Sequence, residues 1–364
     1  MIFLLIFVIF AEAAIQIPLH ENYESLSDSS IPFTSFQFRG LSSSTAVTNL
    51  QNSQYYMTVG IGTPPKIFSV GLSLETSWIL VDQKECLQCR RWTYKFYSLQ
   101  SATFKKTNKK WNTDSAYQMR GNAGKDTVII GSFNSTSQAV FLIDSEHGMD
   151  NLKADGIFGL GFSKGQAVSI LKRWYDENYI ENMIFSLYLN DISGISGLQD
   201  KGQSMLIIDG HDIYKYAAEE EFTYISVLNS DEYWELSLDK VSLGDLTFNS
   251  GNKARISSGE KGILGPKEAI DGILQLLQSS ANCNTDSNNQ LTCNCNANYP
   301  DLLIQLSGNA FRIKQAGYLH KLNKDCSLVF GYSEIDDIWI LVMLFWEGFI
   351  PFMIWKTRKS ALLL

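Results

Sequence analysis

From Gln54 onward, short apolar runs with alternating polar residues recur, and each ends in Gly, Asn, Asp or Pro. This period-two pattern predicts strands at Tyr55–Ile61, Ile67–Leu72, Ile79–Val81, Thr127–Ile130, Ala139–Ile143, Phe185–Leu189, Met205–Ile208, Tyr233–Leu238 and Leu302–Leu306. Together they describe a large antiparallel all-β protein. Two stretches break the alternation and predict helices, Ala167–Tyr179 and Pro266–Ser279. In the second, Pro266 suits a first helical turn, and Ile270, Ile273, Leu274 and Leu277 share one face. A faint duplication links Gly71–Ser77 to Ala254–Glu260, since each follows an apolar stretch and leads into another.

Upstream the texture differs. Ile2 to Phe10 is an unbroken apolar run followed by small residues at Ala11, Ala13 and Ala14, which predicts a secretory leader over residues 1–14. Residues 15–50 are polar and Ser-rich and read as a pro-segment-like arm. Export implies an oxidising compartment, either outside the cell or in an endomembrane or vacuolar lumen. Six cysteines, Cys86, Cys89, Cys283, Cys293, Cys295 and Cys326, then predict three disulfides. A zinc site from the Cys86/Cys89 and Cys293/Cys295 pairs is the rival, but the second spacing is too tight for a usual zinc knuckle, and no metal or other cofactor is expected. Asn134-Ser135-Thr136 is a glycosylation sequon.

The 364 residues are enough for two lobes, and 45% hydrophobic with 19% charged residues is globular composition. A net charge of −8 argues against nucleic acid as a partner. The one basic run, Lys105, Lys106, Lys109 and Lys110, reads as a solvated loop. Ile338 to Trp355 is nearly all apolar and followed by Lys356, Arg358 and Lys359, but Glu347 and Pro351 interrupt it, so buried strands are expected in place of a membrane span.

Several segments carry a family resemblance. Tyr55-Tyr56-Met57-Thr58-Val59-Gly60-Ile61-Gly62-Thr63-Pro64-Pro65, Trp78-Ile79-Leu80-Val81, Lys153-Ala154-Asp155-Gly156-Ile157-Phe158-Gly159-Leu160-Gly161-Phe162, Ile184 to Leu189, Tyr233 to Leu238 and Ile338 to Leu341 resemble, in order, pepsin-like aspartic proteases of the pepsin and cathepsin D type. Ile15 to His20 resembles the start of that family's pro-segment. The resemblance implies a bilobal, β-rich fold with a central cleft and a few short helices. Its lobes would span residues 51–220 and 221–364. It also implies a monomer holding a peptide or protein between the lobes. It pairs Cys86 with Cys89 and Cys293 with Cys326, leaving Cys283 for Cys295.

Family members carry Asp-Thr-Gly-Ser/Thr in each lobe, two carboxylates about 3 Å apart that share a proton. Here the aligned segments read Ser73-Leu74-Glu75-Thr76 and Ser257-Ser258-Gly259-Glu260. A lone serine hydroxyl is neither a base nor a proton reservoir at acid pH, so the resemblance implies a member without the catalytic pair. Leu74 removes a hydroxyl that would brace the two loops. The flap stretch, Ala116 to Lys125, is short, with Tyr117 or Met119 near the usual Tyr position. Glu75 and Glu260 are candidate substitute carboxylates, but their different offsets from the serines argue against a symmetric pair, and a loop carboxylate is the plainer reading. A serine nucleophile would need an oriented base, and His20, His147, His211 and His320 form no recognisable constellation. Asp155 and Asp209 border Gly-rich turns and read as structural. Three functions follow: a binding module of the pepsin fold, an active endopeptidase with displaced carboxylates, or an inert copy.

Overall fold

The computed structural model describes residues 15–18, 55–112, 118–131, 133–150, 152–163, 167–188, 204–210, 222–228, 233–248, 251–258, 262–280, 283–285, 291–322, 325–333, 335, 337–342, 350–354 and 359–363. The leader at 1–14, most of the 15–50 arm and the 220/221 boundary lie outside the described residues. So do Tyr117, His20, His211 and Glu260.

The fold is all-β and bilobal. Strands from the N-terminal half form a seven-stranded sheet, and strands from the C-terminal half form an eight-stranded one. Every predicted strand is present, with shifts of a few residues at the ends. Thr127–Ile130 and Ala139–Ile143 prove to be parts of a long hairpin, Gln118–Ile130 with Phe133–His147. The interior of each half is the apolar face of these strands, with Phe68, Phe141, Phe158, Phe311, Trp174 and Trp339 fully buried. Trp234, from the C-terminal half, packs against Phe162 and Phe185 of the N-terminal half at ring-centroid distances of 4.3 and 5.9 Å. That contact joins the two cores.

The duplication is explicit in the topology. Lys66–Ser73 runs parallel to Gly156–Gly159, which is antiparallel to Ile79–Asp82, which is parallel to Phe133–His147. In the second half Lys253–Ser257 runs parallel to Ile338–Val342, which is antiparallel to Ile263–Gly265, which is parallel to Phe330–Tyr332. Ser73 lies opposite Gly159 and Ser257 opposite Val342. The two serines therefore occupy the same place in the two copies, each at the C-terminal end of its strand.

A six-stranded sheet draws on both halves, in the order Ile15–Pro18, Met205–Ile208, Ile184–Tyr188, Ile350–Ile354, Lys359–Leu363, Phe222–Ser226. Within the apolar C-terminal stretch, Ile338–Val342 and Ile350–Ile354 are strands. No helix among the described residues is long and apolar enough to cross a membrane.

Helices form at Ile170–Asp176 and Lys267–Ser280. The first is shorter than its pattern suggested. It starts only after Ser169, and Asn178, at φ 58°, turns the chain away beyond its C-terminal end. The second begins directly after Pro266 and buries Ile270, Ile273 and Leu277 completely.

The cysteines are all oxidised, which removes the zinc reading. The Cys86–Cys89 bridge is as expected, but the other pairing is not. Cys283 bonds Cys293, and Cys295 bonds Cys326. Strand register explains the exchange. Cys283 lies directly opposite Cys293 in the hairpin of Cys283–Thr285 and Leu291–Cys293, with Cα atoms 4.0 Å apart. Cys295, just beyond that strand, then meets Cys326 at a Cα separation of 5.1 Å.

Candidate functional site at the junction of the two halves

The loop Leu74–Trp78 leaves the strand carrying Ser73 and is held from below by the Gly159–Gly161 segment. Leu160 N–H donates to Ser73 O at 2.7 Å, and Gly161 N–H donates to Thr76 O at 2.8 Å. Glycine is required at Gly159 by proximity, because a Cβ there would lie 2.3 Å from Thr76 O. In the second copy the matching position is Val342, with a buried side chain, so the copies diverge at that point. Asp155 anchors the segment's start. Buried at 4% exposure, it accepts from Ser69 N–H at 2.9 Å and Tyr94 N–H at 2.8 Å. Burial pushes its carboxyl up, and these donors pull it partly back. Asp209 likewise accepts from the N–H groups of Glu181 and Asn182 at 2.9 and 2.6 Å. Both are structural.

The centre is built around Glu75. Its Oε1 accepts from Ser257 Oγ at 2.5 Å and from Ser258 N–H at 3.0 Å. Its Oε2 accepts from Ser73 Oγ at 2.8 Å and lies 3.2 Å from Ser258 Oγ. One carboxylate from the N-terminal half thus spans both duplicated serines. Ser258 also links the halves, since its Oγ donates to Leu72 O at 3.1 Å and accepts from Leu74 N–H at 2.9 Å. Leu74 itself is buried in the core, where it offers no hydroxyl in return.

The reading of Glu75 as a plain loop carboxylate therefore fails. Glu75 reaches across the junction to the serines of both halves, which its offset from Ser73 does not reveal. Met119 is buried beneath the Cys86–Cys89 region, packed with Phe141 and Ile143, so its side chain is core. Asn134 is exposed on strand Phe133–His147. The basic run is no loop. Lys105, Lys106, Lys109 and Lys110 lie exposed on strand Lys105–Asn112, at the edge of the seven-stranded sheet.

Sequence reasoning missed one cluster. Asp82, Arg90, Thr93 and Glu146 are all buried. Arg90 Nε donates to Glu146 Oε1 at 2.9 Å, and Thr93 Oγ1 donates to Asp82 Oδ2 at 2.7 Å. Asp82 Oδ1 and Glu146 Oε2 are buried with no hydrogen-bond partner among the described residues. Burial pushes the Asp82 carboxyl up to about 7, the Thr93 hydrogen bond opposes this, and the Glu146 carboxylate adds to it. Ligand atoms of Asp82, Cys89 and Glu146 lie within 4.8 Å of one another, yet the group does not fit a metal. Cys89 is oxidised, and the Arg90 cation already neutralises Glu146. An acid closing the apolar run Trp78-Ile79-Leu80-Val81-Asp82 was the available sign.

This doubled strand arrangement brings a serine loop from each half to one point, and a family model covers most of the chain. The model for eukaryotic aspartyl protease matches residues 54–353. The chain belongs to that family. Among its aspartyl protease relatives, Pepsin II-2/3 of Oryctolagus cuniculus is 25% identical over 312 residues, covering 82% of this chain and 78% of the relative. Pepsin A of Sus scrofa is 27% identical over 311 residues, covering 80% and 76%. Embryonic pepsinogen of Gallus gallus is 26% identical over 306 residues, covering 80% and 76%.

For this aspartyl protease family member, removing the carboxylate is expected to loosen the junction. Glu75→Ala should lower unfolding free energy by about 1–3 kcal/mol, because hydrogen bonds to a charged acceptor are lost while the site is only half-buried. Urea denaturation checks this. A variant as stable as the parent would mean that Glu75 does not tie the halves together.

Proposed function

We propose that the protein is a secreted pepsin-family homologue that does not hydrolyse peptides and uses its interlobe cleft to hold a peptide or protein segment. Ser73 and Ser257 stand at the two dyad positions in this reading. Residues 1–14 are the leader and residues 15–50 the pro-segment-like arm. Asn134, exposed within its sequon, is the glycan acceptor.

The observation that carries the reading is the position of Glu75. Aspartic protease chemistry needs two carboxylates, one charged to activate water and one protonated to polarise the carbonyl. Among the described residues one carboxylate, Glu75, lies between the dyad positions, and its oxygens accept from the hydroxyls of Ser73 and Ser257 and the N–H of Ser258. A hydroxyl on each side supplies neither the second carboxylate nor the shared proton.

The same geometry gives the alternative its footing. A carboxylate midway between the lobes could activate water by itself as a general base, making the protein an active endopeptidase through Glu75. Glu260, its suggested partner, lies outside the described residues.

Cleavage of a broad peptide library at pH 2–7 separates the two. The native chain should cleave nothing, and a Ser73→Asp, Glu75→Gly, Ser257→Asp variant should gain hydrolysis inhibited by a statine-type transition-state mimic. Native cleavage that disappears in Glu75→Gln would establish the alternative.

A further inference from the structure

The hairpin of Lys105–Asn112 and the first part of Gln118–Ile130 carries Lys105, Lys106, Lys109, Lys110, Arg120 and Lys125. All six are exposed, and residues 105–112 and 118–125 contain no acid. This concentration sits in a chain of net charge −8. Among the described residues none of the six has a salt-bridge partner. Nearby acids are buried or hydrogen-bonded elsewhere. Asp126 is buried and accepts from Ser101, Thr103 and Thr127, Glu146 is buried against Arg90, and Asp144 accepts from Asn122.

Protection of a sheet edge explains part of this charge, because lysine on an edge strand discourages pairing with other chains. It does not explain Arg120 and Lys125. They lie on the inner strand, which is paired on both sides, with Lys125 opposite Ala139 and Arg120 opposite Ser145. Nor does it explain why Lys105 faces Lys125 directly across the ladder. Like charges directly opposite destabilise a strand pair. A destabilising arrangement of cations on two strands, with no salt-bridge partner among the described residues, is what an anionic ligand would neutralise. The backbone offers a matching feature, since Lys105–Asn112 is the last strand of its sheet and is paired on one side only among the described residues.

We propose that this hairpin is a docking surface for an acidic, extended polypeptide segment of a partner protein, which adds as a strand along Lys105–Asn112 while its carboxylates meet the cations of both strands. Main-chain hydrogen bonds would supply affinity and the alternating side chains selectivity. Arg120 and Lys125 belong to the stretch that resembles the family's flap, but the proposed docking edge is Lys105–Asn112, and the inference does not depend on whether the cleft hydrolyses peptide.

The test uses the full chain and a fluorescent peptide of four Glu-Val repeats, followed by anisotropy. Binding should weaken about tenfold between 50 and 300 mM NaCl. It should weaken by a similar factor in Lys106→Glu, Lys109→Glu, and in the milder Lys106→Gln, Lys109→Gln if charge reversal disturbs folding. It should persist in Ser73→Ala, Ser257→Ala, which alters the junction alone. A peptide of four Glu-Pro repeats has the same charge but cannot pair as a strand, and should bind at least about fivefold more weakly. Equal binding of the Pro peptide, or equal competition by inorganic polyphosphate, would overturn strand docking in favour of a plain polyanion surface. Binding unaffected by both lysine variants would remove the hairpin altogether.

Discussion

Asp82→Asn should make the protein more stable at neutral pH and flatten its stability between pH 4 and 7. Asp82 is completely buried, and its carboxyl is raised from 3.8 to about 7, chiefly by burial. Its surroundings are the Thr93 hydroxyl, the Glu146 carboxylate, the Arg90 guanidinium and Lys95, which donates to Cys86 O at 2.7 Å. One guanidinium thus serves two facing carboxylates. The direction follows from linkage. Between about pH 4 and 7 the folded chain holds a proton that the unfolded chain has released, so stability from this group is greatest below pH 4 and falls as pH rises to 7. At 1.36 kcal/mol per pH unit, the effect is on the order of 3–4 kcal/mol. Asparagine keeps an acceptor for Thr93 and places no second charge beside Glu146. Urea unfolding at pH 4.5 and 7.5 measures both effects. Parallel pH profiles for the two proteins would show that Asp82 does not take up this proton.

Glu146→Leu should be among the most damaging single changes in the N-terminal half, costing about 3–5 kcal/mol, the usual result of leaving one member of a buried ion pair alone. Both side chains are 3% exposed. Glu146 Oε1 receives the Arg90 backbone N–H at 2.7 Å as well as Nε, while Arg90 Nη1 donates to Leu152 O and Ala154 O at 2.7 and 3.0 Å. Arg90 therefore fastens the Cys86–Cys89 loop to the chain that leads into Gly156–Gly159, the strand beneath the Ser73 loop. The double variant Arg90→Leu, Glu146→Leu should recover part of the loss, because no unpaired charge remains. If the double variant is as unstable as the sum of the singles, the damage comes from packing and not from the stranded charge.

Strand positions were legible because the runs are short, apolar and bounded by turn residues, some alternating in burial like Leu302–Leu306 and others buried throughout like Met205–Ile208. Met205–Ile208 and Leu302–Leu306 appear with their predicted ends. The basic run failed that test because Lys105 to Lys110 has no apolar residue to announce a strand. The serines at positions 73 and 257 were visible through the resemblance. The role of Glu75 was not, because a contact between residues so far apart in the chain leaves no local pattern. The cysteine exchange has a similar origin. Spacing cannot reveal that Cys283 and Cys293 face each other in a hairpin. Nor could the Arg90–Glu146 pair be read locally, since its members lie on a loop and a distant strand.

The sheet shared by the two halves bears on how the chain matures during synthesis. Ile184–Tyr188 takes one neighbour from Met205–Ile208, made shortly afterwards, and the other from Ile350–Ile354, made much later. Until then that flank of the N-terminal half stays open, a strand edge of the kind chaperones cover. Closure links segments nearly half the chain apart, a high contact order that slows folding. Closure thus waits until Ile350–Ile354 has been made, and the unfilled position beside Ile184–Tyr188 is left open in the meantime.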